Sequence, residues 1–345
     1  MLKPFMKYPG GKTRELKYIY PATPDNVNRY FEPFIGGGAV YFSMVNFQAY
    51  YINDKSTELV NTYLSIQGQN EIFLNILATI NEEWKQIENY SGSYNNKKDV
   101  KAFIEQLAFI NEYELVEYFM TYYEKMLSSK KKYIVKKQIK STSEKIKIYQ
   151  TILNSSYYAT VREQYNRNRA NEKFMENAAL YFYIREFCYS SMFRFSANGN
   201  FNVPYGGMSY NKKNFDDKLL YITSPRLTQR LRETYIHNED FEDFLNNYNL
   251  VETDYIFLDP PYDTEFSTYD GNEFSRNEQI RLANFLHQTN AKWMLVIKDT
   301  DFIRSLYNIN SNNIYYYEFG KEYSVSFMNR NEKKVNHLMI TNYEV

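Results

Sequence analysis

The run Tyr255-Ile256-Phe257-Leu258, followed by Asp259-Pro260-Pro261-Tyr262, restricts the fold more than any other stretch of the chain. Four apolar, β-branched or aromatic residues in a row read as a strand buried on both faces, as in parallel sheets covered by helices. Two prolines then fix φ and remove two backbone donors, so the strand stops and the turn after it is stiff. Asp259 falls at the carboxyl end of that strand, where open α/β sheets bind ligands. Its carboxylate and the Pro260 carbonyl point outward as acceptors, and Tyr262 adds a flat aromatic face. A planar heterocycle with an exocyclic amino group could stack on the ring while its two N–H groups meet the two oxygens. Alone, the tetrapeptide reads equally as a proline-stiffened surface turn with a capping Asp.

The amino-terminal region supplies a matching half of such a sheet. Tyr30 to Phe34 is a short apolar strand, Gly36-Gly37-Gly38 a turn of wide conformational freedom, and Ala39 to Val45 a helix start. A second strand, Ala49 to Asn53, ends in Asp54. In doubly wound folds the glycines admit a ligand close to the backbone while the acid holds ribose hydroxyls. The glycine spacing is not that of the dinucleotide fingerprint and offers no pyrophosphate clamp, so S-adenosylmethionine fits better than NAD. Asp54 also suits a helix N-cap, and both roles are compatible. Before this unit, Lys7-Tyr8-Pro9-Gly10-Gly11-Lys12 forms a tight loop with exposed amides and a positive tip, able to hold a carboxylate. It lacks the spacing and the Ser/Thr of a nucleotide P-loop.

Composition narrows the class. The chain has 345 residues, 43% hydrophobic and 18% aromatic, with no apolar run of membrane-spanning length. The start, Met1-Leu-Lys-Pro-Phe, lacks the apolar core of a signal peptide, and the single cysteine, Cys188, excludes an internal disulfide framework. A cytoplasmic location is expected. Three scattered histidines and one cysteine make a His/Cys metal site an unfavoured reading. Formal net charge is zero, yet Lys125 to Arg232 holds 21 Lys+Arg against 7 Asp+Glu, a local +14. One region is therefore suited to polyphosphate, although the Lys130 to Lys147 run is also compatible with a solvated helical face.

Between Glu58 and Ile152 the pattern is helical, with apolar spacing in Ile72 to Trp84 and Val100 to Leu127 and a break at Gly92-Ser93. Residues 174 to 188 read as another amphipathic helix. Then Arg194 to Gly206 alternates around Asn198-Gly199, a dipeptide suited to a type I′ hairpin turn. Basic, amide and aromatic side chains (Arg194, Asn198, Phe201, Asn202, Tyr205) are interleaved there as in a ribbon entering a DNA groove. The final third alternates again: strands at Tyr235-Ile236, Tyr255–Leu258, Trp293–Ile297, Ile314–Phe319 and Val335–Thr341; helices at Phe241–Leu245, Ser275–Gln288 and Asp301–Tyr307. Such alternation means a mostly parallel sheet.

Taken in order, Lys7 to Lys12, Phe31 to Gly38, Asp54, the Arg194 to Gly206 ribbon and Asp259 to Tyr262 make the chain resemble the Dam-family DNA adenine methyltransferases over nearly its whole length. The resemblance implies an α/β fold: a Rossmann-like S-adenosylmethionine-dependent methyltransferase sheet with a mainly helical inserted DNA-recognition domain carrying a β-hairpin. It implies a catalytic domain of residues 1–58 and 233–345 and an inserted domain of 59–232, with the hairpin near 192–210. By position, Tyr8 and Lys12 match contacts to S-adenosylmethionine, Asp54 the acid on its ribose, and Asp259 the acid shared between cofactor and target base. Phe34, Gly36 and Gly38 match the wall of the cofactor pocket. Arg194, Gly199, Phe201, Asn202, Pro204 and Tyr205 match the DNA-facing ribbon, and Asp259, Pro260 and Tyr262 the catalytic motif. The implied reaction is methylation of the exocyclic amino group of a flipped adenine in double-stranded DNA by a monomer, within GATC in the members the ribbon resembles. A restriction endonuclease acting on the same site is the further partner this implies. The insertion from Glu58 to Tyr157 is longer than in the shortest members. An RNA or protein methyltransferase of the same fold, or a DNA-binding module without catalysis, are the alternatives.

Overall fold

A computed structural model describes residues 2–171, 173–192, 194–207, 215–261, 274–307, 313–322 and 334–345. They form two compact units: Met1–Pro4, Gly10–Val60 and Gln229–Val345 in the first, Phe5–Pro9 and Asn61–Thr228 in the second.

The first unit is built on a seven-stranded sheet of β1 (Arg29–Glu32), β2 (Ala49–Asn53), β3 (Thr234–His237), β4 (Asp254–Leu258), β5 (Lys292–Lys298), β6 (Tyr315–Glu322) and β7 (Lys334–Thr341). Their spatial order is β3-β2-β1-β4-β5-β7-β6. β1 to β5 are parallel, and β7 runs antiparallel between β5 and β6. The strands expected from the apolar runs are thus all present, and the sheet is mostly parallel. Every residue of β4 is buried. Ile256 and Leu258 join Phe31, Trp293 and Leu295 in one apolar cluster, while Tyr255 meets Tyr30 at 5.9 Å between ring centroids, and Tyr30 meets Tyr50 at 6.1 Å. At the amino ends of β1 and β4, Arg29 donates to both carboxylate oxygens of Asp254, at 2.7 and 2.6 Å, which pins the register of the two central strands. The chain leaves β1 toward β2 and β3 but returns at β4 on the other side. The order therefore reverses between β1 and β4, the place where such sheets open a ligand crevice at their carboxyl ends.

The helices, in chain order, are α1 (Leu16–Ile19), α2 (Thr57–Gln67), α3 (Glu71–Glu88), α4 (Lys97–Ile104), α5 (Tyr113–Lys136), α6 (Thr142–Ala170), α7 (Phe174–Phe187), α8 (Phe215–Ile222), α9 (Pro225–Arg232), α10 (Phe241–Asn246), α11 (Arg276–Gln288) and α12 (Asp301–Leu306). As expected, α11 is capped by Ser275, whose hydroxyl accepts from the Glu278 N–H.

Three local expectations are corrected, and one helical pattern resolves into two helices. The helix start at Ala39–Val45 is a single 3-10 turn, Tyr41–Ser43, because Met44 is already extended and Asn46, at φ +68°, turns the chain toward β2. The pattern from Val100 to Leu127 is two helices, α4 and α5, and in the gap the Glu83 carboxylate accepts the Phe109 N–H, a donor no helix would satisfy there. Helix α7 is not amphipathic: it is buried continuously from Asn177 to Phe187 and forms the centre of the second unit. The ribbon does reverse at Asn198-Gly199, with Phe195 bridging Phe201 and the Ser196 N–H donating to Asn200 O at 2.8 Å. Its turn is not type I′. Ala197, Asn198 and Gly199 make a three-residue loop, with the Gly199 N–H on Ser196 O at 2.9 Å and Gly199, not Asn198, at positive φ.

Candidate active site

The glycine loop and Asp54 form one hydrogen-bonded assembly at the carboxyl ends of β1 and β2. Gly36 and Gly38 take φ +48° and +72°, values that strain any side chain, so the loop needs glycine at both. The Ile35 N–H donates to Asn53 O at 2.9 Å, and the Asn53 amide nitrogen to Pro33 O at 3.1 Å, which ties the loop to the end of β2. The Asp54 carboxylate accepts the Gly36 N–H at 3.0 Å and the Ser56 N–H at 2.9 Å. The second of these closes an Asx turn rather than a helix cap: α2 starts at Thr57 and its N-cap position is Ser56, so the expected N-cap role of Asp54 is not the one it takes. Phe34, directly after β1, packs edge-on against Phe274 at 5.4 Å and tilted against Phe241 at 5.6 Å, forming an apolar wall beside the loop.

At the end of β4, Asp259 pairs with Lys12. The Lys12 side chain is only 2% exposed against 21% for Asp259, and its ammonium also donates to Gly10 O at 3.3 Å. A buried ammonium needs such a partner, so Lys12 fixes the carboxylate from the protein side. Glu32, the last residue of β1, is buried and accepts from the Tyr30 hydroxyl at 2.5 Å. Burial holds the Glu32 carboxyl well above the usual carboxylate range; the Tyr30 hydrogen bond works against this, and the negative charge of Asp259 adds to it. Beyond the prolines, the buried Gln279 side chain donates to Pro261 O at 3.0 Å. This bond ties α11 to the turn.

Lys12, Phe34, Gly36, Gly38, Asp54, Asp259 and Pro260 all lie in the first unit, toward the carboxyl ends of its parallel strands. Tyr262 lies outside the described residues. Tyr8 belongs to the second unit, its ring 4.4 Å from the Arg185 guanidinium. There the Lys7 N–H and ammonium donate to Glu186 at 3.0 and 2.8 Å, which fastens Phe5–Pro9 to the end of α7. On the ribbon, Arg194 and Asn198 are exposed, and the Arg194 Nε donates to Asn202 Oδ1 at 2.9 Å. Phe201 is 1% exposed, with its N–H and carbonyl both bonded to Asn166, so its ring belongs to the core of the unit and offers no stacking face. Tyr205 is half-buried against Trp84 and Tyr158. Cys188 is buried and its thiol pushed up to about 12 by that burial, which leaves no thiolate for nucleophilic chemistry.

Sequence reasoning passed over Glu32, Asn53 and Gln279. An acid inside an apolar strand, as in Tyr-Phe-Glu-Pro-Phe, was a usable signal for Glu32; Gln279 carried none, since its partner is 18 residues away in the chain.

Among the described residues no cluster of His, Cys, Asp or Glu could hold a metal ion, and no helix is long and apolar enough to cross a membrane. A parallel sheet with a glycine loop after β1, an acid after β2 and Asp-Pro-Pro after β4 has the organisation of the Rossmann-like methyltransferases. The model of the D12 class N6 adenine-specific DNA methyltransferases matches residues 8–150 and 131–322, and the chain belongs to that family. It is 28% identical over 346 residues to the type II methyltransferase M.CviBI of Paramecium bursaria Chlorella virus NC1A, covering 99% of this chain and 100% of that one. The type II methyltransferase M.MjaIII of Methanocaldococcus jannaschii is 27% identical, over 89% of this chain and 88% of its own. The DNA adenine methylase of Haemophilus influenzae is 24% identical, over 89% and 83%.

Proposed function

We propose that this site-specific DNA adenine methyltransferase takes its methyl group from S-adenosylmethionine and delivers it to an adenine flipped out of duplex DNA, with Asp259 and Pro260 holding the target amine. The observation that carries the reading is the position of Asp259: at the end of β4, beside the switch point, its carboxylate fixed by the buried Lys12. The residues present suit the cofactor. The Asp54 carboxylate, oriented by two backbone N–H groups, matches a ribose diol; Phe34 offers an apolar wall to a purine; Lys12 and Asp259 together match the charges of an amino-acid zwitterion.

When bound, the cofactor supplies an electrophilic methyl group on a sulfonium. The chain's own residues provide orientation. The Asp259 carboxylate and Pro260 carbonyl accept the two amino hydrogens, which turns the nitrogen lone pair out of the ring plane toward the methyl carbon. Positive charge would develop on the amine as it accepts the methyl group, and the Asp259 carboxylate, held by Lys12, would stabilise it there. One amino proton then leaves by way of Asp259 to solvent. Extrusion of the base costs a few kcal/mol and is needed because the amine inside a duplex cannot meet the methyl in line. Tyr262 is assigned to stack on the flipped ring, and Arg194, Asn198 and Asn202 to the DNA contact of the ribbon.

Relatives named type II methyltransferases support a role as the modification partner of a restriction endonuclease cutting the same sequence; the assignment of GATC rests on the ribbon's resemblance alone. The test is Asp259→Ala. Transfer of labelled methyl to mixed-sequence duplex DNA at saturating cofactor should fall at least about 100-fold. A rate within about tenfold of wild type, with cofactor binding retained in calorimetry, would overturn the role of Asp259.

A further inference from the structure

The end of the α5–α6 hairpin carries a concentration of charge that the active site does not use. Between Lys125 and Lys147 stand nine lysines (125, 130, 131, 132, 136, 137, 140, 145 and 147), no arginine and one acid, Glu144. Seven of the nine are exposed, and Lys130 and Lys145 are half-buried. Among the described residues the acids of α5 are engaged elsewhere, Glu114 with Arg167, Glu117 with Lys101 and Glu124 with Lys97. Among the described residues none of the nine lysines forms an ion pair. Glu144 has its own explanation in the first turn of α6, where its N–H donates to the Ser141 cap and its charge complements the helix terminus.

Packing gives this end no structural need for lysine. From Ser128 to Tyr149 the one buried side chain is Ile134. Like charges at three- and four-residue spacing on one helix, such as Lys132 with Lys136, repel and weaken the helix by a few tenths of a kcal/mol each. An arrangement that costs stability and is left uncompensated within the fold fits an external anion. Lysine in place of arginine narrows the kind: a compact point charge on a flexible stem suits phosphate oxygens, without the bidentate geometry that reads base edges. The exposed apolar residues do not make a lipid-facing stripe. Val135 is 76% exposed but its neighbours one turn back are Lys131 and Lys132, and Tyr133 lies under the Lys130 ammonium at 5.5 Å.

We propose that residues 125–147 form a sequence-independent clamp on the phosphate backbone of duplex DNA, distinct from the ribbon that meets the bases. This rests on the reading of the protein as a DNA methyltransferase and adds to it a surface for the DNA that is held but not read. The clamp contributes affinity and salt dependence, and through them the length of time the enzyme stays on one DNA molecule between transfers.

The experiment compares three proteins by fluorescence anisotropy on a mixed-sequence duplex of about 40 base pairs across a salt series: wild type, a variant with Lys130, Lys131, Lys132, Lys136 and Lys137 all changed to Gln, and the same five changed to Arg. Each phosphate contact contributes about 0.9 to the slope of log affinity against log salt. The Gln variant should lose about 3 to 4 from that slope, and the Arg variant should keep it. A Gln variant within about one unit of the wild-type slope overturns the clamp. So does wild-type binding to phosphatidylcholine–phosphatidylserine vesicles, at the same salt, that excess duplex does not displace. Methyl transfer by wild type is read in parallel. Its absence alongside the expected slopes would sink the methylation reading and leave the clamp standing.

Discussion

Glu32 shows how a single side chain can couple the site to pH. It sits at the carboxyl end of β1, buried, with the Tyr30 hydroxyl on one oxygen and the charge of Asp259 in its surroundings. Burial raises its pKa in the folded protein above the ordinary value of 4.5. A carboxyl raised in this way binds its proton more tightly folded than unfolded. The stability it contributes is full below pH 4.5 and is lost as the pH climbs through the higher folded-state value, at about 1.4 kcal/mol for each unit of difference. Glu32→Gln keeps an acceptor for Tyr30 and removes the titration. Urea midpoints for the two proteins should coincide near pH 4 and diverge above it, with the Gln variant the more stable at neutral pH and beyond. A constant difference across the pH range would show that folding leaves the Glu32 pKa unchanged.

At the scale of elements, the Asp-Pro-Pro turn is tied to a helix whose position, though not its link to the turn, is legible in the sequence. The Ser275 cap and Glu278 marked the start of α11, and the apolar run marked β4, because both signals are local. The bond from Gln279 to Pro261 is tertiary and has no local trace. The same limit explains the ribbon: its aromatic spacing was legible, but that Phe201 turns inward against Tyr165 and Phe195 is decided by α6, which meets it only in the folded unit. Likewise α7 looked amphipathic because its polar residues Asn177, Arg185 and Glu186 are buried in company with partners from elsewhere in the unit, such as Lys7 and Lys218 on Glu186. If α11 steadies the Asp-Pro-Pro turn, Gln279→Leu should lower the rate constant for methyl transfer about tenfold, the worth of one lost hydrogen bond in a buried place, and leave the cofactor's dissociation constant within about twofold. Single-turnover kinetics separate the two. A loss confined to cofactor affinity would assign Gln279 to the pocket rather than to the turn.

For the molecule as a whole, the strands of the sheet were legible to within one to three residues at their ends, most closely at β4 and β5, where burial on both faces leaves continuous apolar runs. The glycine loop and Asp54 could be placed at the ends of those strands, but that they are one hydrogen-bonded assembly emerges only from β1 and β2 lying side by side. That assembly gives the fold a thermodynamic handle. A ligand that binds only the folded protein, at about 100 times its dissociation constant, stabilises it by about 2.7 kcal/mol. S-adenosylmethionine at that excess should therefore raise the melting temperature of the first unit's transition by several degrees. Asp54→Asn retains an oxygen to accept from Gly36 or Ser56 but gives up the charge proposed to meet the ribose hydroxyls. Hydrogen bonds to a charged group are worth about 1.5 to 3 kcal/mol. A loss of that size weakens binding by about 10- to 100-fold, and at the same cofactor concentration the stabilisation should shrink to about 0.4 to 1.4 kcal/mol. Differential scanning calorimetry with and without cofactor reads both proteins. An Asp54→Asn variant that melts like wild type and shifts as far would mean that the ribose is held by another group.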